Sequence, residues 1–214
     1  MARGTSGKQV TAILAVETNF AIGVIWEQRP LLLRIKRLCE KTDTILVIPE
    51  IALVEAKSSL MKRIDKQLEA IQQFRFWLND IARAAGMKEH VLQIKHALSN
   101  MEAELQRRKQ LILEAVSIFA QACTIAPLTP QVWIKAYLRW QAKIPPFKEL
   151  DCLVMESLLG FLQRRKAKLT MFLNLDREDF DHPEVHGEFR QRKTLLLFDP
   201  SDVIAEFRRF YGVM

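Results

Sequence analysis

Cysteine is scarce in this chain. Three occur in 214 residues, an odd number, widely spaced at Cys39, Cys123 and Cys152 and each set among apolar neighbours. That usage excludes a disulfide framework and fits reduced, buried thiols in a cytoplasmic protein. Cys152 follows Asp151, but no histidine pattern accompanies it, so a thiol nucleophile is not expected. Long apolar runs are missing too, and none approaches the ~20 residues of a membrane-spanning helix. The opening MARGTSGKQV lacks the apolar segment of a secretory signal. Residues 1–9 read as a mobile tail, ahead of a single domain over 10–214. Neither an internal repeat nor a low-complexity segment is present. Zinc-type ligand sets are also lacking. His182 and His186 stand four apart, but Pro183 opposes a continuous helix there and no Cys or third His joins them. A loop with two solvated histidines is expected.

The apolar content of 49% beside 27% charged residues is that of a globular chain with a substantial core. The net charge of +7 favours polyanionic partners. Its basic residues cluster at Lys62-Arg63, Arg107-Arg108-Lys109 and Arg164-Arg165, with further groups at 166–168, 190–193 and 208–209. Any one of these can be a solvated helix face.

Two apolar runs, TAILAV ending at Val16 and TILVI ending at Ile48, are short and continuous, as in buried parallel strands. Helices are expected from Asn19, and from Pro30 to Glu40. After Pro49 the apolar period becomes helical: Leu53, Leu60, Ile64, Leu68, Ile71, Phe74, Leu78 and Ile81. Gly86 breaks this helix. A second stripe follows through Val91, Ile94, Leu98, Met101, Leu105, Ile112, Val116 and Phe119. Two helices of about 35 residues, each near 50 Å long at 1.5 Å per residue, would form an antiparallel hairpin inserted at about 56–121. Cys123 to Ala126 is a weak third strand. Helices over 129–140 and 149–165, strands at 169–173 and 194–198, and a last helix capped by Asp199 or Ser201 complete the order. The expected fold is α/β, a central parallel sheet of about five strands flanked by helices. Phe74, Phe76 and Trp77 read first as core and second as a base-stacking surface. Trp133, Tyr137 and Trp140, at spacings of four and three, read as a core or dimer-contact face.

Four acids stand out against this frame: Glu17, Glu55, Asp151 and Asp176. Each lies just after a strand-like run or near the start of a helix-like one. In an open α/β sheet such positions converge outside the carboxyl ends of the strands. Carboxylates in one crevice repel unless a hard cation joins them. Taken together, they read as the site of a metal-assisted phosphodiester nuclease.

Their order and wording resemble the PIN-domain family of ribonucleases, which includes many toxins of toxin–antitoxin pairs. The residues that carry the likeness are Val16-Glu17-Thr18-Asn19, then Ile48-Pro49 with Glu55, then 125–130, then Asp151, then Asn174-Leu175-Asp176 with Asp179-Phe180. Residues 60–120 have no counterpart, and Glu17 stands where the family has Asp. The resemblance implies Mg²⁺ or Mn²⁺, with Glu17, Asp151 and Asp176 as closest ligands and Glu55 on a second ion or a water. It also implies that Asn19 pins the loop of Glu17 and that Asn174 holds a metal-bound water. Asp179 competes with Asp176 for the fourth role. Implied partners are an RNA substrate, a protein antitoxin and a second copy of the chain. Lys62, Arg63, Arg107, Arg108, Lys109, Arg164 and Arg165 are candidate phosphate contacts on a basic rim. The rival expectation is a binding module on the same fold, with an incomplete metal site and a helical arm for docking. A helical scaffold that carries the acids by chance is the third.

Overall fold

The computed structural model describes residues 12–84 and 88–212. The expected tail over 1–9 and the expected helix break at Gly86 lie outside these residues. By its internal contacts the chain divides into two compact units, residues 1–56 with 119–214, and residues 57–118.

The first unit is built on a five-stranded sheet in the order β3-β2-β1-β4-β5. Its strands are β1 (Ala12–Val16), β2 (Thr44–Pro49), β3 (Thr124–Ala126), β4 (Leu169–Leu173) and β5 (Leu195–Leu197), and every neighbouring pair is parallel. All five β1 residues are buried, because side chains on both faces meet covering elements. The edge strands β3 and β5 have only three residues each, which leaves little unpaired backbone exposed. Connections from β1 run outward through β2 to β3, whereas β4 returns to the other side of β1. The strand order therefore reverses between β1 and β4, and the crevice at such a reversal is where α/β sheets bind ligands.

Helices α1 (Thr18–Ile25), α2 (Pro30–Lys41), α5 (Pro130–Gln141), α6 (Glu149–Leu162), α7 (Arg177–Phe180), α8 (Pro183–Gln191) and α9 (Pro200–Tyr211) surround the sheet. A Cβ at Gly23 would overlap Leu32 Cδ1, so a side chain there would require the buried Leu32 to move. Asp199 caps α9 by accepting from Ser201 N at 2.7 Å. One expectation needs correction here, and another narrows. His186 lies in a helix and His182 just before it, because Pro183 sits at the first position of α8, where its missing N–H costs nothing. His182 lies edge-on to the Phe147 ring, and His186 is paired with Asp181 at 2.7 Å, so neither is merely solvated. Trp133, Tyr137 and Trp140, read as a core or dimer-contact face, do not enter the core, since they are 46%, 53% and 38% exposed. Helix α5 instead buries Val132, Ala136 and Arg139. The Arg139 guanidinium is held by Glu156 at 2.8 Å, Glu188 at 2.7 Å and the Pro145 carbonyl at 2.6 Å.

Helices α3 (Glu50–Ala84) and α4 (Lys88–Ala122) have 35 residues each, and α3 from residue 57 onward with α4 as far as residue 118 makes up the second unit. Within it Asp65 pairs with Lys109, Arg75 with Glu102 and Asn79 with Lys95, so the two helices are antiparallel. Leu60, Ile64, Leu68, Ile71 and Leu78 of α3 are buried, as are Val91, Leu98, Ile112 and Val116 of α4. The sequence stripe is broader than this seam. Phe74, Ile94 and Met101 are exposed, as are Phe76 and Trp77, because one partner helix covers only a narrow a/d-type strip.

Candidate functional site

Glu17 directly follows β1 and caps α1. Its Oε2 accepts the Asn19 N–H at 2.6 Å, and its Oε1 accepts the Leu175 N–H at 3.4 Å. One side chain thus ties the turn after β1 to the turn after β4. It is Asn19's main chain that makes this bond, while the Asn19 side is exposed. Glu17 is 6% exposed, and burial pushes its carboxyl up to about 7. Backbone N–H groups of Asn19, Leu175 and Phe20 pull the other way, and the Glu55 charge adds to the rise.

Asn174 ends β4. Its Oδ1 accepts the Asp176 N–H at 2.7 Å, an Asx-type turn that presents Asp176 at the first position outside α7. Its own N–H bonds the Leu197 carbonyl at 2.9 Å, locking the turn to β5. Asn174 is 1% exposed, yet its Nδ2 has no partner among the described residues. A buried amide donor without a partner is costly, and it suits a ligand oxygen or a bound water.

Glu55 sits in the second turn of α3, half-buried, and accepts the Thr18 hydroxyl at 2.6 Å. Asp151 lies in the first turn of α6, where the helix dipole favours a carboxylate. Burial nonetheless raises its carboxyl to about 7, and the charges of Asp179, Asp176 and Glu55 raise it while Lys148 lowers it. Glu17, Glu55, Asp151 and Asp176 all line one cavity of about 280 Å³, with Thr18, Asn19, Asn174 and Lys148 also on its wall. Asp179 is buried and bonded to the Lys148 ammonium, which raises the lysine's own pKa, mainly through that bond.

The donor set is all oxygen, as a hard divalent cation requires. Two carboxyls are pushed up to about 7, first by burial and then by neighbouring carboxylates, so ionising them costs free energy that a cation would offset. Among the described residues no three acidic, histidine or cysteine side chains converge tightly enough to ligate one ion as they stand. The arrangement therefore fits an ion held by one or two direct carboxylates, with waters bridging to the rest.

The basic candidates lie differently. Arg107 is bonded to Glu104 at 2.7 Å and Lys109 to Asp65 at 2.8 Å, so that patch has mixed sign rather than three free charges. Lys62, Arg63 and Arg108 are exposed on the same unit. Arg164 and Arg165 follow the C-terminal end of α6, roughly 20 Å along the helix from Asp151. Arg164 donates to the Gly160 carbonyl and Arg165 lies over the Phe161 ring, so neither belongs to the crevice. Two site residues escaped the sequence reading. Thr18 is signalled only by its place beside Glu17, and Lys148 only by standing three residues before Asp151, just outside α6.

A solved structure, VapBC2 from Rickettsia felis bound to a DNA fragment from their promoter, is similar at 12% identity with a TM-score of 0.45. The match covers 86% of this chain and 96% of that one. No curated protein matches the chain closely in sequence. A family profile described as PIN domain matches residues 14–180, a span that includes Glu17, Glu55, Asp151, Asp176 and Asp179. This chain belongs to the PIN domain family.

Proposed function

We propose that this PIN-domain protein is a divalent-metal-dependent endoribonuclease that hydrolyses RNA phosphodiester bonds in the crevice between β1 and β4, with Mg²⁺ or Mn²⁺ as its ion. One observation carries the reading: four carboxylates from four separate elements line a single cavity at the strand-order reversal. The bound ion supplies charge neutralisation on phosphate and a more acidic water. Glu17, Asp151 and Asp176 would hold it, with Glu55 at the margin. Thr18 orients Glu55 through its hydroxyl, and Asn174 aims its unpartnered amide N–H at an oxygen of substrate or water. Glu17, locked by two backbone N–H groups, fixes the distance between the turns that carry the other ligands. Its extra methylene relative to Asp lets it reach the Leu175 N–H across the sheet edge.

The test is cleavage of a single-stranded RNA panel, with a DNA arm, in Mg²⁺, Mn²⁺ and EDTA, using Glu17→Ala as control. Cleavage that needs metal and disappears in the variant supports the proposal. The rival is a binding module with a weak metal site, and one feature favours it. Both Glu17 oxygens already serve backbone donors, which leaves each with less capacity for an ion. Under that reading RNA binds and is not cut in any metal.

The toxin role belongs to the same proposal, with a protein antitoxin as partner and a cytoplasmic site of action. Expression of the wild type, and not of Asp151→Asn, should then arrest growth. A homodimer is the expected assembly, and the exposed Trp133, Tyr137 and Trp140 face supports it, since aromatic anchors dominate many interfaces.

A further inference from the structure

The crevice walls are acidic, yet the substrate proposed for them is a polyanion. Among the described residues one cation stands on the wall of that cavity, and the acid set does not account for it. Lys148 lies immediately before α6, its side chain 64% exposed, and its ammonium bonds the Asp179 carboxylate. Asp179 is buried, so its carboxylate needs a partner and holds the ammonium in place. An ammonium has three donors, and this bond uses one. The N-terminal N–H groups of α6 open beside it, since no side chain caps that helix.

We propose that Lys148 is a phosphate-binding residue of this site. Held on Asp179, it presents its remaining donors to a non-bridging oxygen of the RNA phosphate entering the crevice. Asp179 is then a positioning residue that acts through Lys148, and Asp176 alone is the acid supplied by the turn after β4. This deepens the nuclease reading and rests on it for the identity of the substrate. Lysine suits the task as a compact point charge on a flexible stem, able to follow a phosphate as it moves. A bland alternative is a surface ion pair that merely satisfies Asp179. Such a pair contributes little by itself and would leave RNA affinity alone.

The two roles separate by experiment. Binding of a short single-stranded RNA is measured in EDTA across a salt series, and cleavage is measured in Mn²⁺. Each phosphate contact on a single strand contributes about 0.7 to the slope of log affinity against log salt. Lys148→Gln should lower that slope by about 0.7 and weaken binding about tenfold, the scale of one lost hydrogen bond to a charged group. KM should rise correspondingly, and Lys148→Arg should restore the slope. Should Lys148→Gln alone unfold because Asp179 is left charged and unpartnered, the double variant Lys148→Gln/Asp179→Asn removes that charge. The double variant should keep the thermal midpoint of the wild type and still show the lower slope. An unchanged slope and KM in a folded double variant would overturn the assignment and leave a structural ion pair. If the wild type cleaves no RNA in any metal but the slope still falls, the nuclease reading fails and the phosphate contact stands.

Discussion

The two units of this chain bury different things. The α/β unit buries polar groups along with its core: Glu17, Thr18 and Asn174, on the wall of one cavity, are all under 9% exposed, and so is Asp179, the partner of Lys148 on that wall. The hairpin unit buries a single apolar seam and leaves Phe76 and Trp77 in water, 73% and 57% exposed. Burying a carboxylate costs free energy unless neighbours repay it, so a structure keeps such groups where they perform a task. A two-helix seam has no such cost, and its surface charges settle into alternating pairs such as Arg75 with Glu102. Polar burial therefore sets the α/β unit apart as the place for the proposed chemistry, whereas the basic clusters of the sequence had also pointed to the hairpin.

Four experiments break or sharpen this contrast. The largest effect should come from Asp151→Asn, which lowers metal-dependent cleavage by on the order of 10²–10³-fold, the scale of losing one electrostatic stabiliser. The metal-free fold should meanwhile hold or gain in thermal midpoint, because one member of a repelling cluster is neutralised. Cleavage equal to wild type would assign the activity elsewhere. Next, Leu78→Ala in the buried seam should cost about 2–4 kcal/mol of local stability, read as faster hydrogen exchange confined to α3 and α4. Cleavage of short RNA should persist. Loss of activity along with the seam would show that the hairpin takes part in catalysis.

A third experiment concerns pH. In the folded protein Glu17 and Asp151 titrate near 7, against ordinary values of 4.5 and 3.8. Raised carboxyls bind protons more tightly folded than unfolded. Their contribution is thus fully present below about pH 4 and is lost as pH climbs through 7. For the buried Glu17 this is on the order of 3 kcal/mol. In EDTA the protein should therefore lose thermal stability between pH 5 and 8, less steeply in Asp151→Asn, and Mn²⁺ should restore it at pH 8 by relieving the ionised cluster. A flat profile in EDTA would contradict the burial of these two carboxyls. The smallest effect is expected at Phe76→Ser on the hairpin surface, within about 0.5 kcal/mol of wild type. A larger loss would reveal that α3 packs this ring in solution.

Much of the fold was legible because it depends on local patterns. The runs of β1, β2 and β4, the switch to helical period after Pro49 and the order of the four acids are all one-dimensional signals. Where reading failed, the deciding fact was a neighbour. Pro183 looked like a helix breaker and is a helix starter, which depends on where the preceding turn leaves the backbone. Phe74, Ile94 and Met101 fit the stripe in period, yet with one partner helix the seam cannot cover them.

Sequence alone determined the periods, the parallel α/β class and which acids follow which strands, because hydrophobic alternation and strand ends are properties of adjacent residues. Only the tertiary structure decided that Glu17 bridges two turns, that Thr18 serves Glu55 and that Lys148 claims Asp179. Each of those contacts joins residues at least 31 positions apart. Such partners are chosen by the sheet order, which brings β1 beside β4 and so places their carboxyl ends around one crevice.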